Sequence, residues 1–248
     1  MQPTSRYEKL GFKQILERSW LDFSINLLLH GKNPQEARKL LMEVIAQEDT
    51  SNGHRSIQTT EFAVSMLKAW IAPDKDLILF RNQLLAVAQR IPQNQWNILH
   101  WACLTASYPF LLNFSEVTGR LFFLQSEISR TQILSRLQDI YGGREAVERA
   151  LRYALGTMIC LGFIIKKNTL GIHIAPKKIL ITDKQLGLLL WKAILHATQG
   201  NKIAVSTLRN APALYAFNIP NDLSVNRVDC FPDLNVQQFM DESLLVIE

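Results

Sequence analysis

The feature that most constrains the fold of this sequence is a change in hydrophobic spacing within residues 111–181. Three stretches carry apolar residues three or four positions apart, which is the spacing of an amphipathic helix. They span about 111–125, 130–141 and 144–161. A run rich in β-branched residues follows at 163–181 and can fold back on itself at residues 168–171. This order predicts three helices and then a β-hairpin.

Turn and capping residues mark the ends of these elements. Ser129 can cap the second helix, and Gly162 ends the third. Gly142 and Gly143 make a sharp turn between the two helices. Helix, helix, glycine turn, longer helix and hairpin is the order of a winged helix-turn-helix. We therefore predict a winged-helix domain over residues 111–182.

The two flanking parts of the chain have different patterns. Residues 1–110 are predicted to form an all-helical bundle of five short helices, at about 6–30, 34–47, 60–71, 75–91 and 93–107. Residues 183–248 are predicted to form one helix, capped by Asp183 and ending near Gln199, and then a small irregular or β-containing cap. The predicted fold class is mainly α: a helical bundle, a winged helix-turn-helix with a β-hairpin wing, and a small C-terminal cap.

The charge of the chain is concentrated in its middle. The 248 residues carry a formal net charge of +5, whereas residues 120–180 alone carry ten basic and four acidic side chains, a net charge of +6. Residues 211–248 carry a net charge of −5. This asymmetry predicts a surface in the middle of the chain that faces a polyanion.

The basic side chains coincide with the parts of a winged helix that contact nucleic acid. The second helix of the motif lies in the major groove, and the hairpin contacts the backbone or the minor groove. Arginine suits guanine edges and phosphate, while lysine suits phosphate. The candidate contacts on the helix are Arg144, Arg149, Arg152 and Tyr153, and those on or beside the hairpin are Lys166, Lys167, Asn168, Lys177 and Lys178. DNA is the predicted ligand, with RNA as the alternative.

Two other interpretations of the same residues stay open. Glu145 precedes Arg149, and Glu148 precedes Arg152, by four positions. Such pairs on a solvated helix face contribute about 0.2–0.5 kcal/mol each and need no ligand. A winged helix can also dock a partner protein, so a protein–protein scaffold is the alternative function.

The sequence lacks the motifs of common enzymes. It contains no GxxxxGK[ST], GxGxxG, GxSxG or HExxH pattern. Cys103, Cys160 and Cys230 are too far apart for a typical zinc site and are expected to be thiols in a reducing compartment. His100 and the five tryptophans are expected in the core, and His173 on the hairpin surface. We predict no catalysis, no cofactor and no metal.

The chain also lacks the signals of a membrane or secreted protein. Residues 1–13 are polar and charged, unlike a secretory signal. The most apolar stretch, residues 154–165, is shorter than the roughly 20 residues that span a bilayer. A cytoplasmic protein without membrane contact is expected.

Three segments resemble a known family. They are LERSWLDFSINLLLHGKNPQEARKLL, QWNILHWACLTASYPFLLNF and the long helix that ends in LGFI, and together they span about residues 10–165. In layout they resemble the A-type accessory protein of BREX phage-defence systems. The resemblance implies a small bacterial DNA-binding component that works with larger protein partners of a defence complex. The basic hairpin and the acidic tail depart from that family's pattern.

Overall fold

The computed structural model describes residues 6–50, 53–200, 202–220, 231–240 and 242–247. The structure is mainly helical, with 62% helix, ten helices and several small sheets in these residues. The helices are α1 Arg18–Leu29, α2 Pro34–Gln47, α3 Ile57–Ile71, α4 Ile78–Ala88, α5 Trp96–Ser107, α6 Pro109–Leu124, α7 Arg130–Tyr141, α8 Glu145–Cys160, α9 Lys184–Ala197 and α10 Val205–Arg209. The strands are β1 Asp49–Thr50, β2 Gly53–His54, β3 Glu127–Ser129, β4 Ile165–Lys166, β5 Ile172–Ile174, β6 Ile179–Leu180, β7 Lys202–Ala204, β8 Phe217–Asn218, β9 Leu234–Phe239 and β10 Glu242–Ile247.

The first predicted helix begins much later than expected. Residues 9–17, which we call the N-terminal segment, are not helical, and α1 starts at Arg18. Gly11 has a φ of +70°, and a Cβ there would lie 3.0 Å from the Tyr108 ring. Leu16 is fully buried, and its backbone N–H donates to Thr157 Oγ1 at 2.9 Å. The helix predicted over 6–30 is therefore wrong in its first half, because these residues are held by distant parts of the chain.

The middle of the chain has the predicted helices. α6, α7 and α8 lie within two residues of the predicted ends, and the hairpin follows with its turn at the expected place. β3, β5 and β4 form an antiparallel sheet in that order, with Ser129 opposite Ile172 and Ile165 opposite Ile174. The strand just before α7 thus pairs with the second strand of the hairpin.

The hairpin is shorter than the predicted 163–181. β6 takes no part in it and pairs in parallel with β8. The backbone N–H of Ile179 donates to Ala216 O at 2.8 Å, and that of Ile181 donates to Asn218 O at 3.0 Å. These bonds link residues far apart in the sequence, so the local pattern gave no sign of them.

The C-terminal part packs around α9. Asp183 caps this helix as predicted, by accepting from the backbone N–H groups of Gln185 and Leu186. Every residue from Leu186 to Ala197 is buried. Strands β7, β10 and β9 form a second antiparallel sheet, in that order. The C-terminal cap therefore contains both a helix and a regular sheet.

One hydrophobic cluster connects all three predicted ranges. It includes Phe12 from the first, Leu151 from the second and Leu245 from the third. The five tryptophans lie within it, each less than 7% exposed, as predicted. In the part of the chain that the structure describes, no helix has the length and apolar character needed to cross a membrane.

Three buried histidines make the fold sensitive to acid. Burial lowers the pKa of His100, and Asp22 only partly opposes it. Burial also lowers the pKa of His173. For His196, burial and the positive charges of Lys192 and Arg6 lower the pKa to about 4. All three rings are therefore neutral in the folded protein at pH values where they are protonated in the unfolded chain.

We expect the free energy of unfolding to decrease as the pH falls from about 6.5 to 4. In this window the unfolded chain binds more protons than the folded one, so each histidine contributes a slope of up to about 1.4 kcal/mol per pH unit. Urea unfolding at a series of pH values measures the slope. His196→Gln should reduce this slope by up to about 1.4 kcal/mol per pH unit, the contribution of one proton. A flat profile between pH 6.5 and 4 would contradict the expectation.

Candidate nucleic-acid interface

The N-terminus of α7 joins the hairpin to α8. The backbone N–H of Arg130 donates to the carbonyl oxygen of Gly171, at the end of the hairpin turn, at 3.1 Å. The guanidinium of the same residue donates to Glu148 Oε1 on α8 at 2.7 Å. Ser129 caps α7 as predicted, and the side chain of Gln132 completes a capping box with it. The hairpin turn and the first half of α8 are therefore both fixed to the first turn of α7.

The predicted arginines of α8 lie on its exposed side. Arg149 makes the expected ion pair with Glu145, at 3.4 Å, and its side chain is 57% exposed. Glu148 pairs with Arg130 and not with Arg152, which the spacing would have allowed. The Arg152 guanidinium lies 5.0 Å from the centre of the Tyr153 ring and donates to the Tyr153 hydroxyl at 3.2 Å.

Arg144 differs from these two because it precedes the helix. It occupies the N-cap position of α8, is exposed, and donates to the carbonyl oxygen of Tyr141 at 3.1 Å. Tyr153 is only half-buried and lines a cavity of about 410 Å³, together with Leu10, Phe12 and Phe62. Arg149 lines the same cavity. Of the four predicted residues, the three arginines are thus exposed and Tyr153 is partly covered by the N-terminal segment.

The hairpin presents its predicted polar residues to solvent. Lys166, Lys167 and Asn168 are all exposed. The Lys167 ammonium forms an ion pair with Glu127 on β3, and its backbone N–H donates to Ile172 O at 3.0 Å. This arm of the hairpin is therefore held against the strand that leads into α7.

His173 is not on the hairpin surface. It is 4% exposed and lies opposite the fully buried Ile128 in the sheet. The alternation of side chains along β5 is present, but the histidine is on the core side and the flanking Ile172 and Ile174 are partly exposed. The prediction of a surface role for His173 was wrong, because the pattern gives the period of a strand and not which face is buried.

Lys177 and Lys178 lie beyond the hairpin strands. Both are exposed in the segment between β5 and β6. The Lys178 ammonium lies 6.0 Å from the ring centre of Phe123, near the end of α6. The structure therefore places Lys167 beside β3, at the entry to α7, and Lys178 beside the end of α6.

The second half of α8 is covered by the N-terminal segment. Thr157 accepts from Leu16, and the Cys160 thiol donates to Glu17 Oε2 at 3.3 Å. Ile15 packs against Gly156, where a Cβ would lie 2.6 Å from Ile15 Cδ1. The exposed side chains of α8 are therefore all in its first half: Glu145, Glu148, Arg149 and Arg152.

Arg130 and Glu127 are functional candidates that sequence reasoning did not select. Arg130 was treated only as part of the α7 helix, although the capping box of Ser129 and Gln132 places it at the first helical position. Its contacts with Gly171 and Glu148 span residues distant in the sequence, so the local pattern contained no signal for them.

The other side chains that could react or bind a metal are bonded within the fold. His100 is fully buried and bonds Asp22 Oδ1 at 2.7 Å, as expected of a core histidine. Cys103 and Cys160 are unpaired thiols; burial raises the pKa of both, to about 12 for Cys160, where the Glu17 carboxylate adds to the effect. Cys230 lies outside the described residues.

Within the described ranges no group of three or more histidine, cysteine or acidic side chains could hold a metal ion. Comparison with known proteins adds no identity to this geometry: no family model matches the chain, and no curated protein or solved structure matches it significantly.

Proposed function

We propose that α6, β3, α7, α8, β4 and β5 form a winged helix-turn-helix and that this chain binds DNA through it without catalysing a reaction. In this assignment α7 and α8 are the helix-turn-helix pair, α8 enters the major groove, and the β4–β5 hairpin is the wing. The support is the order of the elements together with the sheet order β3-β5-β4. The chain would act in the cytoplasm.

The contacts of Arg130 carry this proposal. They attach the wing through Gly171 and α8 through Glu148 to a single helix terminus. Arg152 lies one turn beyond Glu148 and therefore shares its face of α8. In this proposal the basic residues of the helix and of the wing contact one duplex together, and the two bonds of Arg130 support it by joining the hairpin and α8 to the same helix end.

The ion pairs at this surface do not prevent phosphate binding. Arg149–Glu145 and Lys167–Glu127 are exposed pairs. Exposed pairs contribute at most about 1 kcal/mol, so phosphate groups can compete for these cations. Four such contacts would make the affinity fall by about 100-fold between 50 and 200 mM salt.

The test is a fluorescence-anisotropy titration of a 20-base-pair duplex at two salt concentrations. The variant Arg149→Glu, Arg152→Glu, Lys166→Glu and Lys167→Glu should bind at least about 100-fold more weakly and with a shallower salt dependence. The matched control reverses four exposed cations of the helical bundle, Lys32, Arg38, Lys39 and Lys68, to Glu. It has the same net charge and should lose far less affinity. Unchanged binding by the first variant would overturn the proposal.

The same titration with duplex RNA and with single strands decides the type of nucleic acid. The major groove of an RNA duplex is too narrow for a helix, whereas that of B-form DNA admits one. We therefore expect tighter binding to DNA. Tighter binding to RNA would mean that α8 does not act by entering a groove.

Docking of a partner protein is the second candidate function. Phe123 and Leu124, at the end of α6, are 67% and 84% exposed, and Lys178 lies beside them. Adjacent exposed apolar side chains of this size are typical of contact sites. Size-exclusion chromatography with light scattering, on the protein purified from its native host, would detect such a partner. Phe123→Ser with Leu124→Ser should release it if the surface is used.

We further propose, from the sequence resemblance alone, that the chain is an accessory subunit of a bacterial phage-defence system with larger protein partners. Deleting the gene from its host should then lower resistance to phage, and the wild-type chain should restore it. The fourfold Glu variant should not restore it. Equal resistance with and without the gene would contradict this assignment.

A further inference from the structure

Leu170 is an exposed apolar side chain at the tip of the β4–β5 hairpin, and 91% of it is accessible to solvent. The turn around it is closed by two backbone hydrogen bonds, from Lys167 N–H to Ile172 O at 3.0 Å and from Ile172 N–H to Thr169 O at 3.2 Å. The leucine is therefore held at the end of an ordered turn.

The position of Leu170 distinguishes it from other exposed hydrophobic residues. Single exposed leucines are common on protein surfaces and need no function. This one follows Lys166, Lys167 and Asn168, which are exposed on the same hairpin. Its neighbour Gly171 accepts the hydrogen bond from Arg130 that fixes the hairpin beside α8. The apolar tip thus belongs to the surface that we assign to DNA.

We propose that Leu170 inserts between two base pairs in the minor groove of duplex DNA and kinks the duplex. This inference rests on the proposed function. With the exposed half of α8 in the major groove, the hairpin reaches the adjacent backbone and minor groove. Apolar side chains inserted there partly unstack a base step and bend the DNA, which brings more of the duplex against the protein. Lys166 and Lys167 would hold the phosphates on either side.

The insertion gives the protein a sequence preference at the base step under the hairpin, in addition to any preference at the bases that α8 contacts. Pyrimidine–purine steps such as TA and CA are the easiest to unstack, so duplexes with such a step under the hairpin should bind best. The expected ligand is B-form DNA that contains a flexible step. An A-form RNA duplex has a wide, shallow minor groove and would not receive the leucine in this way.

The experiment uses the full chain and 20-base-pair duplexes in which a single TA step is moved one position at a time. 2-Aminopurine at the step reports unstacking, and donor and acceptor dyes at the two ends report bending. The wild-type protein should raise both signals at a preferred position. Leu170→Ala should abolish both signals and bind that duplex about tenfold more weakly. Its salt dependence should equal that of the wild type, because no charge is removed.

Ile57→Ala is the matched control, since Ile57 is 77% exposed but lies at the first position of α3. It should behave as the wild type. If the wild type binds duplex DNA without unstacking or bending, or if Leu170→Ala binds as tightly as the wild type, the insertion is refuted and the proposed function stands. A loss of partner-protein binding in Leu170→Ala, with DNA binding unchanged, would likewise refute it. If the wild type does not bind duplex DNA, both proposals fail.

Discussion

Replacing Gly119 by alanine is expected to lower the free energy of unfolding by about 3 kcal/mol. Gly119 lies within α6, where alanine normally favours the helix by about 1 kcal/mol over glycine. Here a Cβ would lie 1.9 Å from the carbonyl oxygen of Pro212 and 2.6 Å from its carbonyl carbon. Overpacking of this kind costs about 1–3 kcal/mol where side chains can adjust, and these are backbone atoms.

The backbone at Pro212 has little freedom to move away. Its carbonyl oxygen accepts from the backbone N–H of Tyr215 at 3.1 Å. Tyr215 is itself buried, and its hydroxyl donates to Phe163 O at 2.9 Å. Relief of the clash would therefore disturb the contact between α6 and the C-terminal part of the chain.

Gly143→Ala is the control for this effect. A Cβ at Gly143 would have no other heavy atom within 4 Å. We expect a change within about 1 kcal/mol, because nothing has to move to make room and alanine only restricts the unfolded chain. Urea unfolding of the two variants measures the difference. Equal stability of Gly119→Ala and the wild type would contradict the prediction.

Replacing Lys192 by methionine is expected to cost about 3–5 kcal/mol of stability. Lys192 is fully buried in α9, and its ammonium donates to Asp233 Oδ2 and, at 2.7 Å, to Gln83 Oε1. The Asp233 side chain is only 13% exposed. Methionine has a similar volume, so the main change is the loss of the charge that compensates this carboxylate.

The double variant Lys192→Met with Asp233→Leu shows how much of the lost stability comes from the uncompensated charge of Asp233. It removes both charges, and buried ion pairs can often be replaced by apolar residues at little cost. The double variant should therefore be more stable than Lys192→Met alone in urea unfolding. If the single and double variants are equally unstable, packing at position 192 and not the uncompensated carboxylate is responsible.

The same ion pair has a second signature in its dependence on pH. Burial by itself raises the pKa of Asp233, but the hydrogen bonds from Lys192 and Gln83 and the lysine charge outweigh it and lower the pKa. A lowered carboxylate pKa stabilises the folded state above about pH 4, and this contribution is lost as the pH falls through the folded-state pKa. This loss of stability comes at lower pH than the loss caused by the three buried histidines, and adds to it.

Local signals explain which parts of the fold could be predicted. The ends of α7 and α8 follow from Ser129 and the double glycine, because caps and turns depend on neighbouring residues. The parallel pairing of β6 with β8 and the extended N-terminal segment could not be predicted, since their partners are distant in the sequence.

Some features of the candidate site could likewise be predicted from the sequence, and others could not. Charge and helical spacing selected Arg149, Arg152 and the lysines of the hairpin, which the structure leaves exposed. The same reasoning gave no sign that Arg130 links the hairpin to α8, or that Lys178 lies beside Phe123 of α6. A count of charges in a stretch of sequence cannot tell which charges share a surface, because that depends on how the elements pack.

In the proposed complex with DNA, the cover that the N-terminal segment places on the second half of α8 would limit how many base pairs one copy can contact. Residues 145–153 have a helical rise of about 13 Å, and stacked base pairs are about 3.4 Å apart. One copy in a major groove would therefore contact about four base pairs. A given sequence of four base pairs recurs by chance about every few hundred positions in a genome. Recognition of a site that is rare in a genome would need adjacent copies of this protein or a second DNA-binding protein.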